Sequence, residues 1–438
     1  MHVSPDEFPE AIALPLGVFY LIAGAMNLCA SVRAWRRHKR GWAGAWLLVT
    51  AAFAALGTTS LCTRPLGMPE VLKAAIDWAA GPVTITLGVF ALLVTAYLGR
   101  RWLVRPGVAL GVLDGVVLLF GLSLVDPDFA SLAAKPDNVA IVGMVFLLGF
   151  FTWLGTAQAV ENDRRAAAGE PPEEKEYDEK VLVWPDLVYI ELIGMILVTV
   201  GLMLWSLLLR APLEPPANPV ATPNPAKAPW YFLDLQELLV FSDAWWVGVV
   251  VPCLILFGLA AIPYLDRNPR GSGYYTIAER PFAYKVFQFG FLQLWILLIL
   301  VGTFMRGPNW SFFGPYEARD PHKMADLTNV KLGEWFWEDV CRRHEPQVAP
   351  EAGWAKRTRT ILYREIAGLV LLGAYFVGLP LLLARTGLKR QRAELGRWRF
   401  LLMVLLLLAM ITLPLKMLLR WSFGLSYIVS IPEWSLNF

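Results

Sequence analysis

The stretch "PWYFLDLQEL" at residues 229–238 places consecutive aromatic residues directly before two carboxylates. Trp230, Leu233 and Glu237 fall at near-helical spacing, which predicts a short amphipathic helix lying in the membrane interface. An aromatic wall suits a flat, apolar ligand with polar ends, such as a quinol. A carboxylate beside that wall could accept the proton that quinol oxidation releases. Glu237 is the preferred acceptor because seven residues of helix place it on the same face as Trp230, and Asp234 is the second candidate.

The same residues have a simpler interpretation. Trp and Tyr gather at membrane interfaces as anchors, and interfacial Asp and Glu are often just solvated. These two interpretations remain open on the residue types alone.

The elements around this stretch are those of a membrane protein. Hydrophobic residues make up 56% of the 438-residue chain and charged residues 17%, and the mean hydropathy is +0.50. Soluble domains carry about 25% charged residues. Because an irregular backbone cannot face lipid, each apolar run near 20 residues predicts a helix. There are ten such runs, at roughly 12–31, 43–62, 78–98, 108–125, 139–157, 187–209, 245–264, 288–304, 362–384 and 400–419. The predicted fold class is an all-α polytopic membrane protein with about ten transmembrane helices.

Basic residues in the short loops predict the orientation of the chain. The first, third, seventh and ninth loops are rich in them: Arg33, Arg36, Arg37, Lys39, Arg40, Arg100, Arg101, Arg105, Arg267, Arg270, Arg280, Lys285, Arg385, Lys389, Arg390, Arg392, Arg397 and Arg399. The short loops between them hold few: Arg64, Lys73, Lys135, Arg210 and Lys227. We therefore expect the odd-numbered loops in the cytoplasm, both termini outside, and the 229–238 stretch on the outer side.

Composition divides the chain into five regions. The first is a five-helix membrane region, the second a hydrophilic cytoplasmic linker of mixed charge, and the third a three-helix domain. An extended outer-face segment and a two-helix region with a tail complete the chain. Their predicted bounds are 1–158, 159–180, 181–304, 305–361 and 362–438. The outer loop before Trp230 holds seven prolines in its first nineteen residues, which predicts a stiff, partly extended backbone.

Four motifs in the third region occur in the order known from one family. They are "WPDLVYIELI", "PANPVATPNPAKAPWYFLDLQELL", "AIPYLDRNP" and "ERPF". Residues 181–304 thereby resemble the C-terminal half of cytochrome b, which forms subunit IV in split cytochrome bc and bf complexes. The resemblance implies a quinol-oxidising site on the outer side, lined by Pro229, Trp230, Tyr231 and Phe232.

The chain departs from the family pattern at the position that matters most chemically. The family's Pro-Glu-Trp-Tyr element reads here as Ala228-Pro229-Trp230-Tyr231. The glutamate that would accept a quinol proton is therefore missing, and Glu237 and Asp234 are the nearest carboxylates that could replace it.

The positions of the histidines exclude the haem ligation that is typical of cytochrome b. His2, His38, His322 and His344 all fall outside the apolar runs, and no Cys-x-x-Cys-His occurs. We expect no haem ligated by this chain and no metal site. The resemblance then implies haem b in a separate cytochrome b subunit, an iron–sulfur protein and a c-type cytochrome as further partners, and menaquinol or ubiquinol as the quinol. It also implies a multi-pass protein in the lipid of the bacterial cytoplasmic (inner) membrane, with no nucleic-acid partner.

Two carboxylates inside apolar runs suggest further chemistry. Asp114 lies well within a transmembrane run, and intramembrane carboxylates are costly and usually functional. It could serve a proton relay, or it could be a protonated Asp that bonds to a neighbouring helix. Glu191, near the cytoplasmic end of its helix, is a candidate for the relay or for a second quinone site.

Together these features predict a membrane subunit of a cytochrome bc-type quinol:electron-acceptor oxidoreductase that is not a complete enzyme by itself. A non-catalytic scaffold subunit and a proton-conducting membrane subunit are the alternatives.

Overall fold

A computed structural model describes residues 8–62, 64–177, 180–208, 216–266, 273–324, 329–349, 351 and 353–438. Side chains are described at these positions except at residues 8–11 and Tyr177. Three of the basic residues used to orient the chain, Arg210, Arg267 and Arg270, lie outside the described residues. The chain forms two compact units. The first comprises Met1–Asn224, Gly273–Tyr284 and Phe313–Asp320, and the second comprises Pro225–Ser272, Lys285–Phe312 and Pro321–Phe438.

The first unit is entirely helical in its described part. Four of its helices begin at a proline, whose fixed φ suits the first helical turn and whose missing N–H is not needed there. The helices are α1 (Phe8–Arg36), α2 (Arg40–Cys62), α3 (Glu70–Ala79), α4 (Pro82–Leu98), α5 (Arg100–Leu103), α6 (Pro106–Ser123), α7 (Pro127–Ala133), α8 (Pro136–Ala167), a short turn at Glu173–Tyr177 and α9 (Val183–Leu208).

The interior of the first unit lies where α1 and α2 pack against α6. Its most buried side chains include Leu16, Tyr20 and Phe53, and Val117 and Leu118 of α6 pack against them. Leu16 and Tyr20 are four residues apart in α1 and therefore share one face of that helix.

Helices α3 and α4 meet at a bend of 85°. Lys73 of α3 forms an ion pair of 2.8 Å with Asp126, which follows the C-terminal end of α6. Since α6 crosses the membrane, α4 must cross it in the opposite direction for α3 and Asp126 to meet on one side.

Nine helices among the described residues are long and apolar enough to cross a membrane, and the α3–α4 pair makes ten. The predicted all-α polytopic fold is confirmed, with the third apolar run broken into a short surface helix and a crossing helix.

Loops predicted to share a side of the membrane are in contact within the first unit. On one side, the Tyr316 N–H donates to Asp77 Oδ1 at 2.9 Å, and the Tyr316 hydroxyl lies 2.7 Å from Ser123 Oγ. On the other side, Asn162 Nδ2 donates to the carbonyl of Tyr275 at 2.9 Å. Both pairings agree with the alternation of sides predicted from the basic residues.

The second unit combines membrane helices with a small amount of β structure. Its helices are a turn at Trp230–Phe232, α10 (Leu233–Leu238), α11 (Trp246–Leu265), α12 (Pro281–Met305, of which the first turn belongs to the first unit), a turn at Pro308–Trp310, α13 (Leu332–Trp335, continuing through Phe336–Val340), α14 (Trp354–Arg364), α15 (Ile366–Leu383), α16 (Lys389–Leu395), α17 (Arg397–Phe423) and a turn at Pro432–Trp434. Its strands are β1 (Val330–Lys331), β2 (Leu425–Tyr427), β3 (Ser430–Ile431) and β4 (Leu436–Asn437).

The strands hold the C-terminal segment against the segment 305–361. β1 pairs in parallel with β2, and β3 pairs antiparallel with β4. Arg364 at the end of α14 donates to both carboxylate oxygens of Glu433 at 2.8 Å and to Glu365 at 3.0 Å. This bidentate, largely buried contact fixes the C-terminal segment.

Candidate functional site

The proline-rich loop is clamped onto α10 by one side chain. The Ala228 N–H donates to Gln236 Oε1 at 2.7 Å, and Gln236 Nε2 donates to the carbonyl of Ala226 at 2.8 Å. Lys227 Nζ donates to the carbonyl of Thr303 at 2.7 Å. Pro229 is extended and the helical turn begins directly after it.

The aromatic and acidic residues of this stretch face opposite environments. Trp230, Tyr231 and Phe232 are 40%, 50% and 53% exposed, and their rings touch edge to face at 5.6 and 4.9 Å between centroids. Asp234 and Glu237 are 2% and 1% exposed. The structure therefore has a short helix where the sequence predicts one, with a continuous aromatic surface outside and two carboxylates inside.

Close packing on α12 explains why the acidic face is buried. A Cβ at Gly302 would lie 3.1 Å from the carbonyl oxygen of Leu233, tighter than ordinary side-chain contacts. Glycine at this position therefore favours the close approach of α10 to the end of α12. The side chains of Leu233 and Leu238, on either side of the carboxylates, are buried as well.

Glu237 forms a buried ion pair with Arg306, the residue that follows α12. Arg306 Nε donates to Glu237 Oε2 at 2.8 Å and Nη2 donates to Oε1 at 2.5 Å, while Nη1 donates to the carbonyl of Trp310 at 2.8 Å. Burial raises the pKa of Glu237, and the Arg306 guanidinium acts against that rise. Both carboxylate oxygens are occupied, so Glu237 holds α10 to the end of α12.

Sequence reasoning did not anticipate Arg306. The sequence feature that could have indicated this pairing is the position of Arg306 directly after an apolar run, because a charged side chain at the edge of the membrane interior usually has a partner.

Asp234 differs from Glu237 in having no ion-pair partner in the described part of the chain. Its Oδ1 is buried and has no hydrogen-bond partner there. Burial raises the pKa of Asp234 to about 6, and the main-chain N–H groups of Leu235 and Asp234 oppose that rise. A carboxylate with this pKa is largely ionised at neutral pH and takes up a proton when one is released beside it.

The other predicted site residues belong to the first unit. Asp114 on α6 accepts a hydrogen bond from Asn27 Nδ2 of α1 at 2.7 Å, and Glu191 is exposed in α9.

His38, His322 and His344 lie outside the membrane-crossing helices, and His2 is outside the described residues. The described residues contain no group of three or more His, Cys, Asp or Glu side chains that could hold a metal ion.

The fold and this stretch define a polytopic helical membrane protein with a buried acid beneath an aromatic surface. Residues 216–317 match the family described as cytochrome b(C-terminal)/b6/petD. The resemblance to the C-terminal domain of cytochrome b is confirmed over this segment, which is less than a quarter of the chain. The match begins later than the predicted residue 181 and extends beyond 304, so that it includes Arg306. No solved structure matches the chain.

Proposed function

We propose that this chain is a membrane subunit of a cytochrome bc-type quinol:electron-acceptor oxidoreductase, and that residues 229–238 contribute to its outer quinol-oxidising site. The family match supports the complex type. The observation that carries the site is Asp234, a buried carboxylate with a free oxygen and a raised pKa, directly behind an exposed aromatic surface.

Asp234 is the proton acceptor in this proposal. Oxidation of a quinol to a quinone releases two electrons and two protons. Asp234 Oδ1 takes one of those protons from a quinol hydroxyl, and the other proton is released to water on the outer side. A general base is most effective when its pKa lies near the working pH, and burial brings the pKa of Asp234 closer to that range. Glu237 is less suited, because Arg306 already bonds both of its oxygens.

Pro229, Trp230, Tyr231 and Phe232 form the wall that contacts the quinol. Aromatic faces stack on a flat ring. The stiff proline-rich loop holds the aromatic side chains in place before binding, which reduces the conformational entropy that is lost when the quinol binds. The three rings are half-exposed in this chain. A partner therefore has to cover them to exclude water, and a cytochrome b subunit is the partner we propose.

Haem belongs to the partner in this account. The described residues in the membrane-crossing helices include no histidine, so they do not fit the pair of axial ligands that haem b needs. Electrons leave through an iron–sulfur protein and a c-type cytochrome. The proposed location is the bacterial inner membrane, with menaquinol or ubiquinol as substrate.

One observation favours a non-catalytic scaffold as the second candidate, namely Pro229 in the place of the family's glutamate. Quinol oxidation by the assembled complex distinguishes the two. We expect oxidation that outer-site inhibitors block and that Asp234→Asn strongly reduces. A fully assembled complex that never oxidises quinol would support the scaffold.

A further inference from the structure

A polar pair lies inside the membrane in the first unit, outside the segment that matches cytochrome b. Asn27 of α1 is 0% exposed, and its Nδ2 donates to Asp114 Oδ1 at 2.7 Å and to the carbonyl of Ala23 at 3.0 Å. Asp114 Oδ2 and Asn27 Oδ1 are both buried, and neither has a hydrogen-bond partner in the described part of the chain. The two unsatisfied oxygens thus belong to side chains that already bond to each other.

The charge state of Asp114 follows from this environment. No cation forms an ion pair with Asp114 among the described residues, and α6 has no other charged side chain. An ionised carboxylate without a partner inside the hydrocarbon region is too costly to persist, so the group keeps its proton. A proton on Oδ2 turns that oxygen into a donor, while Asn27 Oδ1, on the side chain that already bonds to Asp114, has no donor among the described residues.

Tyr20 is the next polar group along the same contact. Its hydroxyl is buried without a partner among the described residues. It lies seven residues before Asn27 on α1 and against Gly121, which is seven residues after Asp114 on α6. A Cβ at Gly121 would stand 2.5 Å from the Tyr20 hydroxyl, so the glycine makes room for it.

Beyond Tyr20 the polar series continues to the membrane surface. Ser123 Oγ, two residues after Gly121, lies 2.7 Å from the Tyr316 hydroxyl. Seven residues of helix span about 10 Å, and Val117 and Leu118 pack in the interval between Asp114 and Tyr20. Exchange across this apolar interval is therefore expected to be slow.

We propose that Asp114, paired with Asn27, is a proton-binding site inside the membrane that exchanges its proton through Tyr20 with the side carrying Ser123 and Tyr316. The titratable group facing this part of α6 from α1 is Tyr20, which is neutral at ordinary pH. The site gives the N-terminal helices a role that does not depend on quinol oxidation.

Infrared spectroscopy of the full chain in lipid nanodiscs tests the protonation state. At a pH well above the ordinary range of carboxyl groups, we expect one carbonyl band of a protonated acid that shifts on ¹³C-labelling of aspartate in the unmutated protein. Asp114→Asn should lose this band. A parent protein without such a band, or a band that survives in Asp114→Asn, would overturn the proposal. The isotope label keeps the test valid if the variant does not fold.

Transfer into heavy water tests the exchange route. The band should shift as Asp114 exchanges its proton, and Tyr20→Phe should slow this by about 10²-fold, the lower end of what a positioned proton-transfer group contributes. Tyr189→Phe, an exposed tyrosine on α9, is the control and should leave the rate unchanged. A band that never exchanges indicates a purely structural pair, and equal rates in Tyr20→Phe and the parent exclude the route; either result overturns the proposal.

Discussion

The buried ion pair between Glu237 and Arg306 predicts how far the free energy of unfolding falls when one partner loses its charge. Glu237→Gln keeps the volume of the side chain and removes its charge. Arg306, which is 9% exposed, is then left inside the protein without a countercharge. Breaking a buried pair from one side costs about 3–5 kcal/mol, so we expect the free energy of unfolding to fall by that amount.

Removing both partners should recover most of the loss. In the double variant Glu237→Leu with Arg306→Met, the charges of both partners are removed, and apolar replacement of a buried pair is often neutral or stabilising. In the cycle built from Glu237→Leu and Arg306→Met, the coupling energy therefore has the opposite sign from the destabilisation caused by either single change.

Chemical denaturation of the purified chain in detergent provides the assay. The control is Glu394→Gln, because Glu394 pairs with Arg390 at 2.8 Å on the surface, where the two side chains are 57% and 88% exposed. This control should cost no more than about 0.5 kcal/mol. If Glu237→Gln costs no more than the control, or if the double variant is less stable than Glu237→Gln, the pair does not hold α10 to α12.

The remaining predictions concern pH, topology and haem. The pKa of Asp234 in the folded state is about 6, above the ordinary value of 3.8, so the folded state binds the proton of Asp234 more tightly than the unfolded state does. The contribution of Asp234 to the free energy of unfolding is therefore greatest below about pH 4. It falls by about 3 kcal/mol as the pH rises through about 6. Denaturation of Asp234→Asn should lack this fall, and a fall equal to the parent's would contradict the burial argument. Cysteine at Ala221 should react with a membrane-impermeant label from outside, whereas cysteines at Ala167 and Arg101 should not. If the label reacts with the Arg101→Cys variant but not with the Ala167→Cys variant, α4 does not cross the membrane. The chain purified without partners should show no Soret band, and stoichiometric haem bound by two of its own side chains would refute the assignment of haem to a partner.

The sequence predicted the parts of the fold that depend on periodicity and length. Among the described residues, nine of the ten apolar runs became helices long enough to cross a membrane, and the third became the bent α3–α4 pair. A lipid environment leaves the backbone few other ways to satisfy its hydrogen bonds. The bend between α3 and α4 was not predicted. Hydropathy cannot distinguish a helix that lies along the surface from one that continues across, and the break at Gly81 and Pro82 was the available signal.

The site was predicted in its residues but not in their pairing. Helical spacing from Trp230 favoured Glu237 as the proton acceptor. Such spacing holds only in one continuous helix, whereas the chain passes through a tighter turn at Trp230–Phe232 before α10 begins. The partner Arg306 is 69 residues away in sequence, and local spacing carries no information about such a contact. Asp234 emerges as the better candidate only once that pairing is known.

The central claim is tested most directly by quinol oxidation in the complex carrying Asp234→Asn. This change keeps the size of the side chain and removes the base. A positioned general base contributes about 10²–10⁴-fold, so the rate should fall by at least about 10²-fold while the complex remains assembled. Asp339→Asn, an exposed position on α13, should keep the parent's rate. If Asp234→Asn oxidises quinol as fast as the parent, Asp234 is not the proton acceptor, and the account of this site is wrong.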